Sequence, residues 1–311
     1  MKKRKVITLA IEDSLPSIQR VDDIKTKLES RNYTVELQKT KKPDTTSSKN
    51  FTDRIKKEEE FIKHLNQKVL ESEVDGAVYS LTHFPTNSPP DLILSSITRQ
   101  DVIRDVLLTP DGSSPTNLPS ETIVGLSNHR NAKQLHSIRQ ELKQEFLFEE
   151  PLSQFENWFS NDQKNKALLL PFEDLNPEKF SNQSKTFFVP LKYFVPAPCQ
   201  GTLSIASLDD TKLSTTLYNL LDNPRSRVEA ITERVILSHI NSELVPSAGI
   251  HATVRGETVH TIVQLFSDSS DKNINTHRDL PIRTYLESAT EFAINLNTLV
   301  KESCRIPHSP N

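Results

Sequence analysis

The run AVYSLTHFPT at residues 77–86 carries Ser80 and His83 to the point where an apolar string gives way to a Pro-containing loop. A buried strand ending in such a loop is where an α/β chain usually keeps its chemistry, and an imidazole titrates near neutrality, so His83 is a candidate general base. A surface histidine is the plainer reading, because no Ser/His/Asp constellation is readable beside it. A second stretch, VGLSNHR at 124–130, ends a strand at Gly125 and offers Ser127 or Asn128 as the cap of a following helix. Free backbone N–H groups and Arg130 would there face a carboxylate or phosphate; the alternative is an ordinary cap followed by a solvated arginine. His251 and His260 oppose one another if a hairpin turns at Arg255-Gly256, which suggests a metal pair. Without a third ligand a solvated strand face is the simpler account, and no metal is expected. Cys199, in PAPCQG at 196–201, is either a reactive thiol or a small buried hydrophobe.

The elements that must hold these residues follow from the periodicity. VITLAI at 6–11 reads as a first strand, Ile18, Val21, Ile24 and Leu28 recur at helical spacing, and TVELQ at 34–38 alternates, giving a βαβ opening. Residues 39–58 are polar and read as a loop or lid, followed by a helix with Phe61, Leu65 and Val69 on one face. From Asp101 the pattern restarts: strands at 105–108 and 122–126, a stripe of Ala132, Leu135, Ile138 and Leu142, then further alternation to residue 195. TLSIAS at 202–207 is another strand. The last block runs helix (Val228, Ile231, Val235), hairpin, and a final helix near 286–300.

With 311 residues the chain has room for two or three domains. Its 38 basic and 41 acidic side chains leave a net charge of −3, without the basic excess of a nucleic-acid binder. Two cysteines outside any CxxC spacing indicate neither a disulfide framework nor a zinc site, and fit a reducing cytoplasm. The basic start MKKRK leads into an apolar run that stops at Glu12 and Asp13, too short for an export signal. No stretch approaches the ~20 apolar residues of a membrane span, so no membrane partner is expected.

Taken in order, five stretches resemble the porphobilinogen deaminase (hydroxymethylbilane synthase) family. LESEVDGAVYSLTHFPT resembles the run ending A-V-H-S-L-K-D-V-P-T, and RQDVIRDVLL resembles R-x-D-P-R-D-V-L-V. VGLSNHRNAKQL resembles V-G-T-S-S-L-R-R-x-A-Q-L, PAPCQGTLSIASLDD resembles P-A-x-G-Q-G-x-L-x-I-x-x-R-x-D-D, and TERVILSHINSELVPSAG resembles A-E-R-x-F-L-x-x-L-x-G-G-C-x-x-P-V-G. The resemblance implies two α/β domains of the type II periplasmic-binding-protein kind facing a cleft, plus a small C-terminal α+β domain. On this chain these fall at 1–104 with 196–220, at 105–195, and at 221–311. It also implies a dipyrromethane cofactor held by a thioether to the cysteine of G-G-C, and head-to-tail joining of four porphobilinogen units with loss of ammonia. Arginines hold the carboxylates, and the aspartate of S-L-K-D steadies cationic pyrrole intermediates.

Residue by residue, the match is partial. Ser80, Arg104, Ser127, Arg130, Gln200 and Gly201 keep family identities and, with Asn128, are the expected substrate- or anion-binding set. The aspartate falls on His83, its neighbouring lysine on Thr82, the second arginine of L-R-R on Asn131, and the cofactor cysteine on Leu244. K-G-L-F falls on residues 58–61, which begin with Glu58, and LFEEPL at 147–152 replaces L-R-G-N-V. A carboxylate ~4 Å from a cation is worth about 4 kcal/mol at an effective dielectric of 20, or roughly three orders of magnitude in rate. A neutral imidazole supplies no such charge. Leucine has no nucleophile, so no dipyrromethane is expected unless Cys199 serves as a substitute thiol. The sequence therefore points to altered or lost catalysis, with a small anionic ligand such as porphobilinogen or a tetrapyrrole precursor, or a protein partner, as what is bound. An active divergent synthase is the alternative, and a small-anion binding protein a second one.

Overall fold

The computed structural model describes residues 5–13, 15–43, 51–100, 103–147, 158, 165–174, 187–191, 193–209, 211–266 and 273–305. The replaced segment at 148–152 and the core of the polar stretch at 44–50 lie outside them. The chain forms two compact units, one of residues 1–101 with 200–227, the other of residues 102–199 with 228–311.

The chain opens with β1 (Lys5–Glu12), α1 (Leu15–Glu29) and β2 (Tyr33–Thr40), the parallel βαβ unit that the alternating apolar pattern predicts. The polar stretch does not stay irregular to residue 58: α2 spans Phe51–Leu70. Its first turns read as loop because their Lys and Glu side chains carry no apolar stripe, yet such residues are good helix formers, and Arg54 pairs with Glu58 one turn on. β3 (Gly76–Ser80) and β4 (Leu92–Ile97) follow.

In the second unit β5 (Asp105–Thr109), β6 (Ile123–Leu126), α3 (His129–Ile138), β7 (Lys143–Phe146), β8 (Lys166–Pro171) and β9 (Phe187–Pro190) build a sheet of order β7-β6-β8-β5-β9. β6 runs parallel to β7 and β8, whereas β5 is antiparallel to both its neighbours. β10 (Leu203–Leu208) completes the first sheet, order β2-β1-β3-β10-β4, on the same plan: three parallel strands, then an antiparallel strand between β3 and β4. Ile7, Leu9, Ile11, Leu28, Val78 and Ile205 form its core with Leu217 and Leu221 of α4 (Lys212–Leu221). A capping box between Thr211 and Ser214 starts α4, and Pro224 opens α5 (Pro224–His239). Both sheets thus belong to α/β units of the type II periplasmic-binding-protein kind.

β11 (Gly249–Arg255), β12 (Thr258–Phe266) and β13 (Asn273–Pro281) form an antiparallel meander packed by α6 (Tyr285–Arg305), with Ile236, Val259, Val263, Phe292 and Leu296 at its centre. The hairpin turns on Gly256 and Glu257, with Gly256 at a φ of +59°, rather than on Arg255-Gly256. That change of register sets Thr253, not His251, opposite His260. His251 meets Glu233 and His260 meets Asp279, so the suggested metal pair does not form. Among the described residues no group of three metal-ligating side chains occurs, and no helix is long and apolar enough to cross a membrane.

Candidate functional site

In the first unit a small open cavity lies at the carboxyl ends of β1 and β3. β1 connects outward to β2 on one side and pairs with β3 on the other, so the cavity stands at the switch point where open α/β sheets bind ligands. Ser80 and His83, both singled out by the sequence, line it together. Ser80 is the last residue of β3, and a turn that closes with the His83 N–H donating to the Ser80 carbonyl (3.1 Å) brings the imidazole to the mouth. The Ser80 hydroxyl is buried with no hydrogen-bond partner among the described residues, as is that of Thr82. Such orphaned groups cost stability unless something in the cavity meets them.

The charged lining comes from four other places. Glu12 ends β1, Arg20 lies on α1, Lys42 follows β2, and Glu58 enters from α2. Glu58 is the hub: Oε1 is 3.4 Å from Lys42 Nζ and 3.6 Å from Arg54 Nε, and Oε2 is 3.5 Å from His83 Nδ1. Lys42 also reaches Glu12 at 4.0 Å. Burial acts to raise the Glu58 pKa, but the combined charges of His83, Lys42 and Arg54 outweigh it and hold the carboxyl at about 2. A carboxylate held ionised down to about pH 2 therefore stands beside the histidine that occupies the aspartate position. Below it the Tyr79 hydroxyl donates to Asn66 Oδ1 (2.7 Å), and burial pushes that phenol up.

The other expected ligands are used differently. Asn128 caps α3, its Oδ1 accepting from the Asn131 N–H at 2.8 Å, and its Nδ2 donates to Ser127 Oγ at 3.3 Å. The Arg130 guanidinium, expected to hold a ligand carboxylate, holds Asp105 instead. Its two terminal nitrogens reach the carboxylate at 2.6 and 2.9 Å, and one also donates to Gln134 and to the Val195 carbonyl. Both side chains are buried, so Arg130 is not a solvated arginine. Arg104 is exposed, while its backbone carbonyl accepts from Phe172 N. Gln200 is buried, its carbonyl accepting from Gln100 Nε2, and Gly201 has a φ of +76°.

The two candidate cofactor positions are both closed. Leu244 is buried in the core against the meander. Cys199 is buried with Sγ donating to the Ala230 carbonyl (3.5 Å); burial first, and then the Glu233 carboxylate, raise its thiol pKa well above the usual range. Glu233 itself accepts from the N–H groups of Cys199 and Ala252, which ties α5 to the chain segments around it.

A family model described as porphobilinogen deaminase, dipyromethane cofactor binding domain, matches residues 7–215. The chain belongs to the porphobilinogen deaminase family. The probable porphobilinogen deaminase of Halobacterium salinarum is 24% identical over 93% of this chain and 95% of that one. That of Methanococcoides burtonii is 29% identical over 78% and 79%. The porphobilinogen deaminase of Chlorobium phaeobacteroides is 23% identical over 76% and 74%. Among solved structures, the periplasmic VFT2 domain of BvgS from Bordetella pertussis is 13% identical, with a TM-score of 0.40 over 69% of this chain and 86% of that one. Porphobilinogen deaminases work in tetrapyrrole biosynthesis, and a dipyrromethane bound through a thioether is their expected cofactor. The residues here do not fit it: Leu244 offers no sulfur, and the Cys199 thiol is enclosed and held protonated.

Sequence reasoning found Ser80, His83 and the charge of Glu58, but not Glu12, Arg20 or Lys42. The one signal was the position of Glu12 at the carboxyl end of a predicted strand, where α/β sheets place their sites.

Proposed function

We propose that this member of the porphobilinogen deaminase family binds a porphobilinogen-like small molecule in the cavity at the ends of β1 and β3 without building a covalent pyrrole chain, and that it does so in the cytoplasm. One observation carries the reading: the side chain at the cofactor position, Leu244, is an apolar member of the core, and the substitute thiol, Cys199, is buried. Chain growth on the protein needs an anchored primer, and neither side chain offers a thiolate to form one. Intact-mass measurement of the purified protein is expected to give the mass of the polypeptide alone, and turnover of porphobilinogen to hydroxymethylbilane is expected to be negligible. A covalent increment that vanishes in Cys199→Ala, or turnover abolished by His83→Ala, overturns the reading.

One specific observation favours a second reading, in which turnover persists with rearranged groups. Glu58 restores a carboxylate beside position 83. Under that reading the rate falls steeply in Glu58→Gln as well as in His83→Ala.

A further inference from the structure

The cavity of the first unit presents both signs of charge to whatever enters it. Glu12 and Glu58 are carboxylates, and Arg20 and Lys42 are cations. A ligand bearing only carboxylates would be repelled by Glu58, which stays ionised down to about pH 2. A ligand bearing only an ammonium would be repelled by Lys42 and Arg20. The lining suits a small molecule that carries both groups.

Within that lining Glu58 is the acceptor best placed for the ammonium. Its side chain is only 16% exposed, so solvent screens it weakly. Oε1 is shared by Lys42 and Arg54, while Oε2 faces His83, whose side chain is 47% exposed at the mouth. The 3.5 Å separation to His83 Nδ1 is longer than the 2.7–2.9 Å typical of charge-assisted hydrogen bonds. That oxygen therefore carries no short hydrogen bond and keeps accepting capacity for a ligand ammonium. Ser80 Oγ, buried and without a partner among the described residues, is the neutral acceptor or donor on the same side of the cavity.

We propose that Glu58 recognises the ammonium group of the bound ligand while Lys42 holds one of its carboxylates. This rests on the proposed function above and assigns the ligand a primary ammonium as well as carboxylates. In this chain the negative charge that position 83 lacks is delivered from α2.

Calorimetric titration of the full chain with two pyrroles tests the assignment. One is porphobilinogen, with an aminomethyl group and two carboxylates; the other is the same pyrrole with hydrogen in place of the aminomethyl group. The unaltered protein is expected to prefer porphobilinogen by about tenfold or more, the range of one charge-assisted hydrogen bond. Glu58→Gln is expected to lose that preference while binding the second pyrrole at least as tightly as the unaltered protein does, which also reports an intact cavity. Glu59→Gln, on an exposed neighbour in the same helix, is expected to keep the preference. A preference that survives Glu58→Gln overturns the inference. So does loss of both pyrroles from that variant, because Glu58 would then support the cavity as a whole. Equal binding of the two pyrroles by the unaltered protein overturns the inference alone, whereas binding of neither overturns the proposed function with it.

Discussion

Cys199 adopts a φ of +62°, a region glycine enters freely and other residues enter at a cost of roughly 1–2 kcal/mol. The family resemblance aligns this position with a glycine, and the positive φ is the physical reason for one there. The thiol that replaces it fills buried space and does not face solvent. Iodoacetamide at neutral pH is therefore expected to leave Cys199 unmodified in the folded protein and to modify it in denaturant, as read by peptide mass mapping. Modification of folded protein at the rate of an exposed cysteine would contradict the burial and the raised pKa. At this scale the sequence exposed only part of the site. Ser80 and His83 stand three residues apart at the end of one apolar run, so local pattern finds them. Glu12, Arg20 and Lys42 come from separate elements and meet only once β1, α1 and β2 are placed, so no spacing along the chain announces them.

Arg130 shows why a motif at a helix start underdetermines what an element does. Its partner, Asp105, lies on β5, and the pair joins α3 to the strand beside β8 inside the second sheet. Removing one member of a buried pair leaves the other charge without compensation, at a cost of about 3–5 kcal/mol. Asp105→Ala is expected to lose that much stability in urea titration, whereas Asp105→Leu with Arg130→Met loses markedly less than the two single substitutions together. A loss below about 1 kcal/mol for Asp105→Ala would place the ion pair among the weak surface kind. Elements with clear apolar periodicity were legible: β1, α1, β2, β3, β6 and α5. β4 was not, because two of its buried positions are Ser95 and Ser96, and β13 was not, because Leu280 is its only buried side chain. Neither strand carries the apolar alternation that pattern reading needs.

Each five-stranded sheet is finished by an antiparallel strand from a distant stretch of chain: β10 enters the first after the whole second sheet has been made, and β5 lies between β8 and β9 in the second. Periodicity cannot reveal such returns; here only the ordered likeness to a known family did. A consequence for the whole molecule follows from the charges at the first sheet's cavity. Glu58 has a folded-state pKa of about 2 against an ordinary value of 4.5. A carboxyl depressed on folding stabilises the native state fully above its unfolded pKa and loses that contribution as pH falls through the folded value. The window is therefore about pH 4.5 down to about 2, across which Glu58 becomes neutral in the fold. Each tenfold change in proton affinity between the folded and unfolded chain is worth about 1.4 kcal/mol, so the linked contribution is up to about 3 kcal/mol. Urea titrations of the unaltered chain and Glu58→Gln across this range are expected to differ most at pH 5 and above and to converge towards pH 2. A difference that stays constant with pH would mean that Glu58 titrates normally and that the cations around it do not hold its charge in the fold.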